Sequence, residues 1–238
     1  MTDPVAIIQA RMTSTRLPGK VLMDIGGAPA LAYMVARVRR ARRVPRIVVA
    51  TTTNTSDDPV VALCQALGIE TYRGDERDVL ARYVGAAEGA DAAVIMRLTA
   101  DCPMIDPEVL DDAVAMFASG KFDYVSNCNQ RTFPDGLDVE VFSLAALRDA
   151  HVNAKHPFLR EHVTPYLRGS RPELGAGAFR VGQLLAPADF SHVRWTLDTP
   201  ADLDRIRDLV GALPPDYDWM AALALATRRP QLLGVPVE

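Results

Sequence analysis

The sequence alternates short apolar runs with longer segments of helical periodicity. Of all its features, this alternation most restricts the folds that the chain can adopt. Short apolar runs between polar turns are typical of buried strands, whereas apolar residues spaced three and four apart are typical of amphipathic helices. Strands that alternate with helices form βαβ units, right-handed crossovers and a mainly parallel sheet. In the first half of the chain the predicted strands are 5–10, 46–51, 69–73 and 92–98, and the predicted helices are 29–43, 59–67 and 78–88.

The second half is less regular but continues the α/β pattern. Asp106 before Pro107 is expected to cap a helix, and Thr199 before Pro200 is placed in the same way. Because no stretch is long enough to act as a linker, we predict one α/β domain over residues 1–238, with its sheet sandwiched by helices. The predicted strands here are 122–126, 137–142 and 193–197, and the predicted helices are 107–118, 144–150, 157–167, 200–209 and 219–228.

Composition excludes several classes of protein. Hydrophobic residues make up 49% of the 238 residues, too many for a disordered chain. A net charge of −4 disfavours a general nucleic-acid binder, and no apolar run reaches the roughly 20 residues that a membrane span needs. The start of the chain is unlike a signal peptide, and the three cysteines lack CxxC spacing. We therefore expect a cytoplasmic protein that binds neither nucleic acid nor a membrane.

A basic loop follows the first predicted strand, where open parallel sheets bind ligands. From Arg11 to Lys20 it contains three cations, three hydroxyl side chains and a Pro-Gly turn. Such groups predict a polyphosphate-binding loop, although the glycines of Walker A and GxGxxG loops are missing. The alternative is an ordinary solvated loop. Lys20 is one of only three lysines among 26 basic residues, which makes its position in this loop notable.

Two aspartates follow later predicted strands. Asp101 comes after the strand 92–98, and Asp198 comes directly after the strand 193–197. Carboxylates at strand ends suit Mg²⁺, which normally binds one or two carboxylates together with substrate phosphates. Each aspartate alone is equally consistent with a turn or a helix cap. Convergence of both on one metal is the stronger hypothesis.

Five sequence blocks resemble a known family. SxRLPGK (14–20), ADCPMID (100–106) and LDTPADL (197–203) resemble nucleotide-sugar cytidylyltransferases, which include the enzymes that activate 3-deoxy-manno-octulosonate and acylneuraminates with CTP. RTFPDGLDVEVFS (131–143) and REHVTPYL (160–167) resemble the narrower spore-coat polysaccharide biosynthesis protein F group. The blocks keep the same order and span nearly the whole chain. The resemblance implies a Rossmann-like sheet of the nucleotide-diphospho-sugar transferase type.

The resemblance also implies roles for single residues. Arg16 and Lys20 would grip the nucleotide phosphates, and Asp101 and Asp198 would bind Mg²⁺. This chain has Thr-Ala-Asp where the octulosonate enzymes have a Gln-Gly-Asp run, which bears on sugar specificity and leaves the metal role intact. The predicted catalytic residues are Arg16, Lys20, Asp101 and Asp198, and the predicted nucleotide-binding residues are Ala10, Arg11, Ser14, Arg16, Lys20, Arg97 and Asp101.

The two narrower blocks are expected to bind the acceptor, within residues 122–192. Asp138 and Glu140 are two apart on a predicted strand and share a face, which is costly in a core unless a ligand, metal or water is near. Arg160 could instead lie on an exposed helix face, and His162 could be an interior histidine. The predicted acceptor-binding residues are Arg131, Asp135, Asp138, Glu140, Arg160 and His162.

The predicted activity is Mg²⁺-dependent transfer of CMP from CTP to an anionic sugar or related acceptor, with release of pyrophosphate, in surface polysaccharide or glycoconjugate biosynthesis. An acceptor that is already anionic needs no general base. One alternative is a glycosyltransferase, but its DxD motif at a strand end is absent and Asp138-Val-Glu140 is the nearest substitute. Another is a non-catalytic nucleotide-binding subunit. The resemblance further implies a homodimer, with the strands between 122 and 143 as a candidate interface.

Overall fold

A seven-stranded, mostly parallel sheet organises residues 3–234, which are the residues that the computed structural model describes. In chain order the strands are β1 (Val5–Gln9), β2 (Asp24–Ile25), β3 (Ala28–Pro29), β4 (Arg46–Thr52), β5 (Glu70–Gly74), β6 (Val94–Thr99), β7 (Tyr124–Ser126), β8 (Glu140–Ser143) and β9 (Val181–Gln183). The order in the sheet is β5-β4-β1-β6-β8-β7-β9, while β2 and β3 form a separate small hairpin. The predicted single α/β domain with a mainly parallel sheet is thereby confirmed.

Helices cover both faces of this sheet. Alternate residues of a strand point to opposite faces, so Ile8 packs into one apolar cluster with α1, α2, α4, α8 and α9, and Ile7 into another with α3, α5, α6 and α7. Because both faces are buried, the central strands are apolar throughout. Within the described part of the chain the α-helices are α1 (Ala30–Val38), α2 (Asp58–Ala66), α3 (Val79–Gly89), α4 (Pro107–Ala118), α5 (Leu144–Asn153), α6 (Pro157–His162), α7 (Pro165–Arg168), α8 (Pro200–Ala212) and α9 (Trp219–Arg228).

Strand β8 runs antiparallel to both of its neighbours, β6 and β7. Its amino end therefore lies at the same edge of the sheet as the carboxyl end of β6. The register places Glu140 directly opposite Arg97. The strand thus brings a carboxylate to the edge where a parallel sheet binds ligands.

The predicted strand 193–197 is wrong. This segment is extended but forms only an isolated bridge between Arg194 and Asp135. Its backbone contacts are made to loops: the Trp195 N–H donates to the Asp135 carbonyl and the Leu197 N–H to the Asp101 carbonyl, each at 2.7 Å. Loops cannot continue a ladder of hydrogen bonds, so the apolar run is buried without becoming a strand.

The predicted helix 157–167 is divided in two. Val163 has a φ of 68°, which ends α6, and α7 begins only at Pro165. The edge strand β9 was not predicted, because its three residues, Val-Gly-Gln, carry no strand periodicity. The proposed helix caps are confirmed: Asp106 accepts the Glu108 N–H at 2.9 Å, and Thr199 accepts the Asp202 N–H within a capping box.

None of the helices in residues 3–234 combines the length and the apolar character needed to cross a bilayer.

Candidate active site

A cleft of about 370 Å³ opens at the carboxyl ends of β1 and β6, the edge where ligands of parallel sheets bind. The start of α3 and the end of α6 also contribute to its walls. The cleft brings together many of the side chains that the sequence analysis selected: Ala10, Arg11, Ser14, Arg16, Lys20, Arg97, Asp101, His162 and Asp198.

A buried carboxylate and a glycine hold the loop after β1 in shape. Asp57 accepts the Met12 N–H through Oδ1 at 2.7 Å and the Thr52 N–H through Oδ2 at 3.1 Å. Gly19 has a φ of 74°, in the left-handed region that favours glycine, and its N–H donates to the Met12 carbonyl at 2.9 Å. These contacts turn the chain so that Lys20, which begins a short 3₁₀ helix, lies in the cleft.

Lys20 lies between the two aspartates that the sequence analysis paired. Its Nζ is 2.8 Å from Asp198 Oδ1 and 3.4 Å from Asp101 Oδ2. Arg16 Nη2 lies 3.2 Å from the same oxygen of Asp198. The Asp101 side chain is 33% exposed and that of Asp198 is 15% exposed, so Asp101 is the more accessible carboxylate. We call Arg16, Lys20, Asp101 and Asp198 the Lys20 cluster.

A second, more buried layer of charge supports Asp198. Arg194 donates to Asp198 Oδ2 and to Asp202 Oδ1, each at 2.7 Å. Burial raises the pKa of Asp202, but hydrogen bonds from Arg194, Arg205 and Thr199 outweigh it and hold that pKa at about 2. Both oxygens of Asp198 are therefore oriented by cations on opposite sides.

The two carboxylates of the Lys20 cluster, of which Asp101 is the more accessible, suit a divalent cation that phosphate also binds. Asp101 and Asp198 both contact the same cation, Lys20 Nζ. The other oxygen of Asp101, Oδ1, makes only a long contact of 3.7 Å with Cys102 Sγ. Within residues 3–234 no three His, Cys, Asp or Glu side chains gather as a metal site. A metal here would therefore take its remaining ligands from a nucleotide and water, as Mg²⁺ commonly does.

A different ion pair adjoins the cleft, with Arg97 among the lining residues and Glu140 outside them. Arg97 Nη1 donates to Glu140 Oε2 at 2.6 Å, and Glu140 Oε1 accepts from the hydroxyls of Tyr124 and Thr164, each at 2.8 Å. Burial would raise the pKa of Glu140, but the charge of Arg97 and the hydroxyl donors lower it below its ordinary value. We call these four residues the Arg97 cluster. Glu140, predicted to meet an acceptor, is instead 2% exposed with both oxygens already bonded.

A strained turn leads from the cleft wall to the Arg97 cluster. The Thr164 N–H donates to the His162 carbonyl at 2.8 Å, and Val163 has φ 68° and ψ −61°, which together define a γ-turn of the rare, strained type. A β-branched residue is especially unfavourable at positive φ. The turn leaves Glu161 and His162 in the cleft wall and directs Thr164 to Glu140.

The two other predicted residues of α6 have different surroundings. Arg160 Nη2 lies 2.7 Å from Asp78 Oδ2, a contact that ties α6 to the start of α3, and Arg160 is not among the residues that line the cleft. His162 does line it, and its ring is tilted by 48° to the ring of Phe158, at a centroid distance of 4.3 Å. Burial and neighbouring arginines lower the pKa of His162, which favours the neutral imidazole.

The remaining predicted acceptor residues form a separate charged cluster outside the cleft lining. Arg131 donates to both oxygens of Asp138, at 2.5 and 2.8 Å, and lies 3.1 Å from Asp135. Burial and the charge of Asp138 raise the pKa of Asp135. The structure therefore brings Arg131, Asp135 and Asp138 together, beside the segment that leads to Asp198.

The cleft also contains residues that the sequence analysis missed. Val79 and Arg82 lie three positions apart at the start of α3, and Gln9 ends β1. The spacing of α3 predicts an apolar helix face, but it does not show that the first turn reaches the ligand edge. Glu161 was not selected either, because the turn at Val163 that leaves it in the cleft wall has no sequence signal.

Comparison with known proteins identifies the family to which the chain belongs. A family model described as cytidylyltransferase matches residues 5–220. Spore coat polysaccharide biosynthesis protein SpsF of Bacillus subtilis is 37% identical over 97% of this chain and 96% of its own. A 3-deoxy-manno-octulosonate cytidylyltransferase of Geobacter sulfurreducens is 29% identical over 79% of this chain and 72% of its own. A cytidylyltransferase structure from Leptospira borgpetersenii superposes with a TM-score of 0.92 and 30% identity, covering 100% of this chain and 99% of that one. The chain therefore belongs to the cytidylyltransferase family and is a nucleotidyltransferase enzyme.

Proposed function

We propose that this enzyme transfers CMP from CTP to an anionic sugar acid, or a related anionic acceptor, with Mg²⁺ as its cofactor. The observation that carries the proposal is the Lys20 cluster, in which Asp101 and Asp198 approach one cation beside a phosphate-type loop. Carboxylates for a metal and cations for phosphates are the two requirements of phosphoryl transfer.

In this proposal an acceptor oxygen attacks the α-phosphorus of CTP. The bond from the α-phosphorus to the bridging oxygen breaks, and pyrophosphate leaves with the electron pair. Arg11, Arg16 and Lys20 bind the β- and γ-phosphates and offset the charge that grows on the leaving group. Asp101 and Asp198 would hold the Mg²⁺, which would polarise the α-phosphate. The remaining barrier falls because both substrates are held in line.

The acceptor is proposed to enter from the side formed by residues 122–192. Glu161 and His162 already line the cleft there, and Arg131, Asp135 and Asp138 lie beside the segment that leads to Asp198. A neutral His162 can donate a hydrogen bond to an acceptor oxygen. The names of the two relatives, which refer to a spore coat polysaccharide and to 3-deoxy-manno-octulosonate, support an acidic sugar as the class of acceptor. The homodimer and the cytoplasmic location stay predictions.

A glycosyltransferase remains the second candidate, but the position of the acidic pairs disfavours it. The chain contains two DxD sequences. Asp202 and Asp204 lie in the first turn of α8, and Asp216 and Asp218 lie just before α9, so neither pair ends a strand. Asp202 is also committed to Arg194 and to the capping box.

The deciding experiment is a pyrophosphate-release screen of CTP, UTP, ATP and GTP against a panel of sugar acids, sugar phosphates and phosphonates with Mg²⁺. We expect release with CTP and an anionic acceptor, and none without an acceptor. Release of a nucleoside diphosphate from a nucleotide-sugar would instead identify a glycosyltransferase. Absence of both products across the panel, with no binding of CTP, would contradict the proposal.

A further inference from the structure

Arg11 differs from the other two cations of the loop after β1 in the carboxylate that it contacts. Arg16 and Lys20 both contact Asp198, a proposed metal ligand. The Arg11 side chain lines the cleft, but its Nη1 lies 3.4 Å from Glu76 Oε1. Glu76 follows β5, lies outside the cleft lining and has no part in the proposed transfer. Its position beside Arg11 therefore needs a separate explanation.

Two neutral groups hold the Glu76 carboxylate in place. The Thr13 hydroxyl donates to Oε1, and Asn54 Nδ2 donates to Oε2 at 2.7 Å. The hydrogen bond from Thr13, with that from Asn54 and the charge of Arg11, outweighs burial and lowers the pKa of Glu76. The side chain is therefore ionised near neutral pH, and its negative charge stays beside Arg11 whether or not the two are in contact.

The backbone that carries Glu76 is fixed as well. Asp75 Oδ1 accepts the N–H groups of Arg77 and Asp78, at 2.7 and 2.8 Å. Arg82 Nη1 donates to the Asp75 carbonyl at 2.6 Å. The loops that follow β1, β4 and β5 thus meet at the Glu76 carboxylate, which can keep its place when one partner leaves.

The contact between Arg11 and Glu76 is weak enough to exchange. The two side chains are 44% and 32% exposed and their contact is long, and exposed pairs of this kind contribute little free energy. A hydrogen bond from a guanidinium to a phosphate is charged at both ends and is stronger. A triphosphate can therefore draw Arg11 away from Glu76, at the cost of the weak pair.

We propose that Glu76 is the partner to which Arg11 returns when pyrophosphate leaves, so that it weakens the hold of the enzyme on this product. This rests on the proposed function, in which Arg11 binds the phosphates that become pyrophosphate. Cations that bind these phosphates hold substrate and product alike, and a competing carboxylate limits that common affinity. Because Glu76 acts through Arg11, it is a positioning residue.

The test measures binding of CTP, CMP and pyrophosphate by calorimetry at one fixed Mg²⁺ concentration. Glu76→Gln keeps the shape of the side chain and an oxygen for Thr13 but removes the charge. Arg11→Gln, alone and combined with Glu76→Gln, completes a double-mutant cycle that isolates the effect transmitted through Arg11. Glu70→Gln is the matched control, because Glu70 begins β5, pairs with Arg46 at 2.7 Å and does not line the cleft. Melting curves check that each variant is folded.

We expect Glu76→Gln to bind pyrophosphate and CTP about twofold to fivefold more tightly, the range of one exposed ion pair. CMP lacks the β- and γ-phosphates, so its affinity should not change. In the Arg11→Gln background the same substitution should give no gain. Glu70→Gln should leave all three affinities unchanged.

Weaker or unchanged pyrophosphate binding by Glu76→Gln would overturn the proposal, because Glu76 would then only hold the loop in shape. A gain that persists without Arg11, or an equal gain for CMP, would also overturn it, since the cause would be the general field of the carboxylate. If the unmodified protein binds neither CTP nor pyrophosphate, the proposed function is refuted together with the role of Glu76. Binding of both ligands without a response to Glu76→Gln would refute the role of Glu76 alone.

Discussion

The Lys20 cluster lines the cleft, whereas only Arg97 of the Arg97 cluster does so. Both clusters pair a cation with a carboxylate, but the surroundings of the two pairs differ. In the Arg97 cluster the carboxylate is 2% exposed and receives a cation and two hydroxyls. In the Lys20 cluster the Asp101 side chain is 33% exposed and its contact with Lys20 is 3.4 Å long. The Glu140 carboxylate is closed to ligands, and the Asp101 carboxylate is open to them.

The difference shows how one ionic motif serves two purposes. A buried pair whose partners are all satisfied holds its strands in register and contributes little when a ligand arrives. The contact between Lys20 and Asp101 is long and its carboxylate is one third exposed, so this contact contributes little to stability and Asp101 can exchange partners at low cost. We therefore expect substitutions in the Arg97 cluster to act on folding, and substitutions in the Lys20 cluster to act on turnover.

The largest effect is expected from Glu140→Gln, which leaves Arg97 buried without a counter-charge. The free energy of unfolding should fall by about 3–5 kcal/mol, as for other broken buried pairs. Urea denaturation followed by circular dichroism measures this. Glu173→Gln, in an exposed pair with Arg171, is the control and should change it by less than about 1 kcal/mol. A loss of that smaller size in Glu140→Gln would refute the division between the clusters.

Asp101→Asn should lower activity and leave stability nearly unchanged, the opposite of Glu140→Gln. Pyrophosphate release should fall by on the order of a hundredfold or more, since a charge that stabilises the transition state is lost. The melting temperature should hardly change, because Lys20 keeps Asp198 as its partner. Asp204→Asn is the control, since the Asp204 side chain is 77% exposed on α8. If Asp101→Asn and Asp198→Asn both leave release unchanged, the two-aspartate metal site is wrong.

Thr164→Val tests the Arg97 cluster more gently. It removes one hydroxyl donor to the buried Glu140 carboxylate and nearly keeps the volume, so the free energy of unfolding should fall by about 1.5–3 kcal/mol. The apparent KM for CTP should stay within error. Thr227→Val, which loses a hydroxyl bond on an exposed part of α9, controls for the substitution itself. A raised KM with unchanged stability would place Thr164 in the substrate site.

The smallest effect is a pH dependence set by Asp202. Its folded-state pKa of about 2 lies below the ordinary value of 3.8, so the charged form is favoured by folding. The resulting stability is fully present above about pH 4 and is lost as the pH falls towards 2. The melting temperature of Asp202→Asn should therefore lie a few degrees below that of the unmodified protein near neutral pH, and the gap should narrow below pH 4. A gap that stays constant down to pH 2 would contradict this.

The members of the Lys20 cluster could be predicted from the sequence, because they follow buried apolar runs. Buried runs and the residues that follow them place Lys20, Asp101 and Asp198 at one edge, and the structure brings them together even though the run before Asp198 is not a strand. The parallel core was predictable because periodicity is a local property.

The Arg97 cluster was not predictable in the same way. It depends on the antiparallel direction and register of β8, and on a γ-turn that no residue type signals. For that reason the sequence analysis predicted that Glu140 binds the acceptor, whereas in the structure it pairs with Arg97. Arg82 was missed because the spacing of α3 does not show that its first turn reaches the cleft.

The two clusters differ in how far apart their residues lie in the sequence, and this affects when each can form during synthesis. Arg97 and Glu140 are 43 positions apart, whereas Lys20 and Asp198 are 178 apart. Synthesis begins at the amino terminus, and contacts between distant parts of a chain form late. The pair in the Arg97 cluster can therefore form while the ribosome is still adding residues, whereas the Lys20 cluster can form only after nearly the whole chain has emerged. A chain that ends before Asp198 contains every strand of the sheet, but it lacks a residue on which the proposed transfer depends.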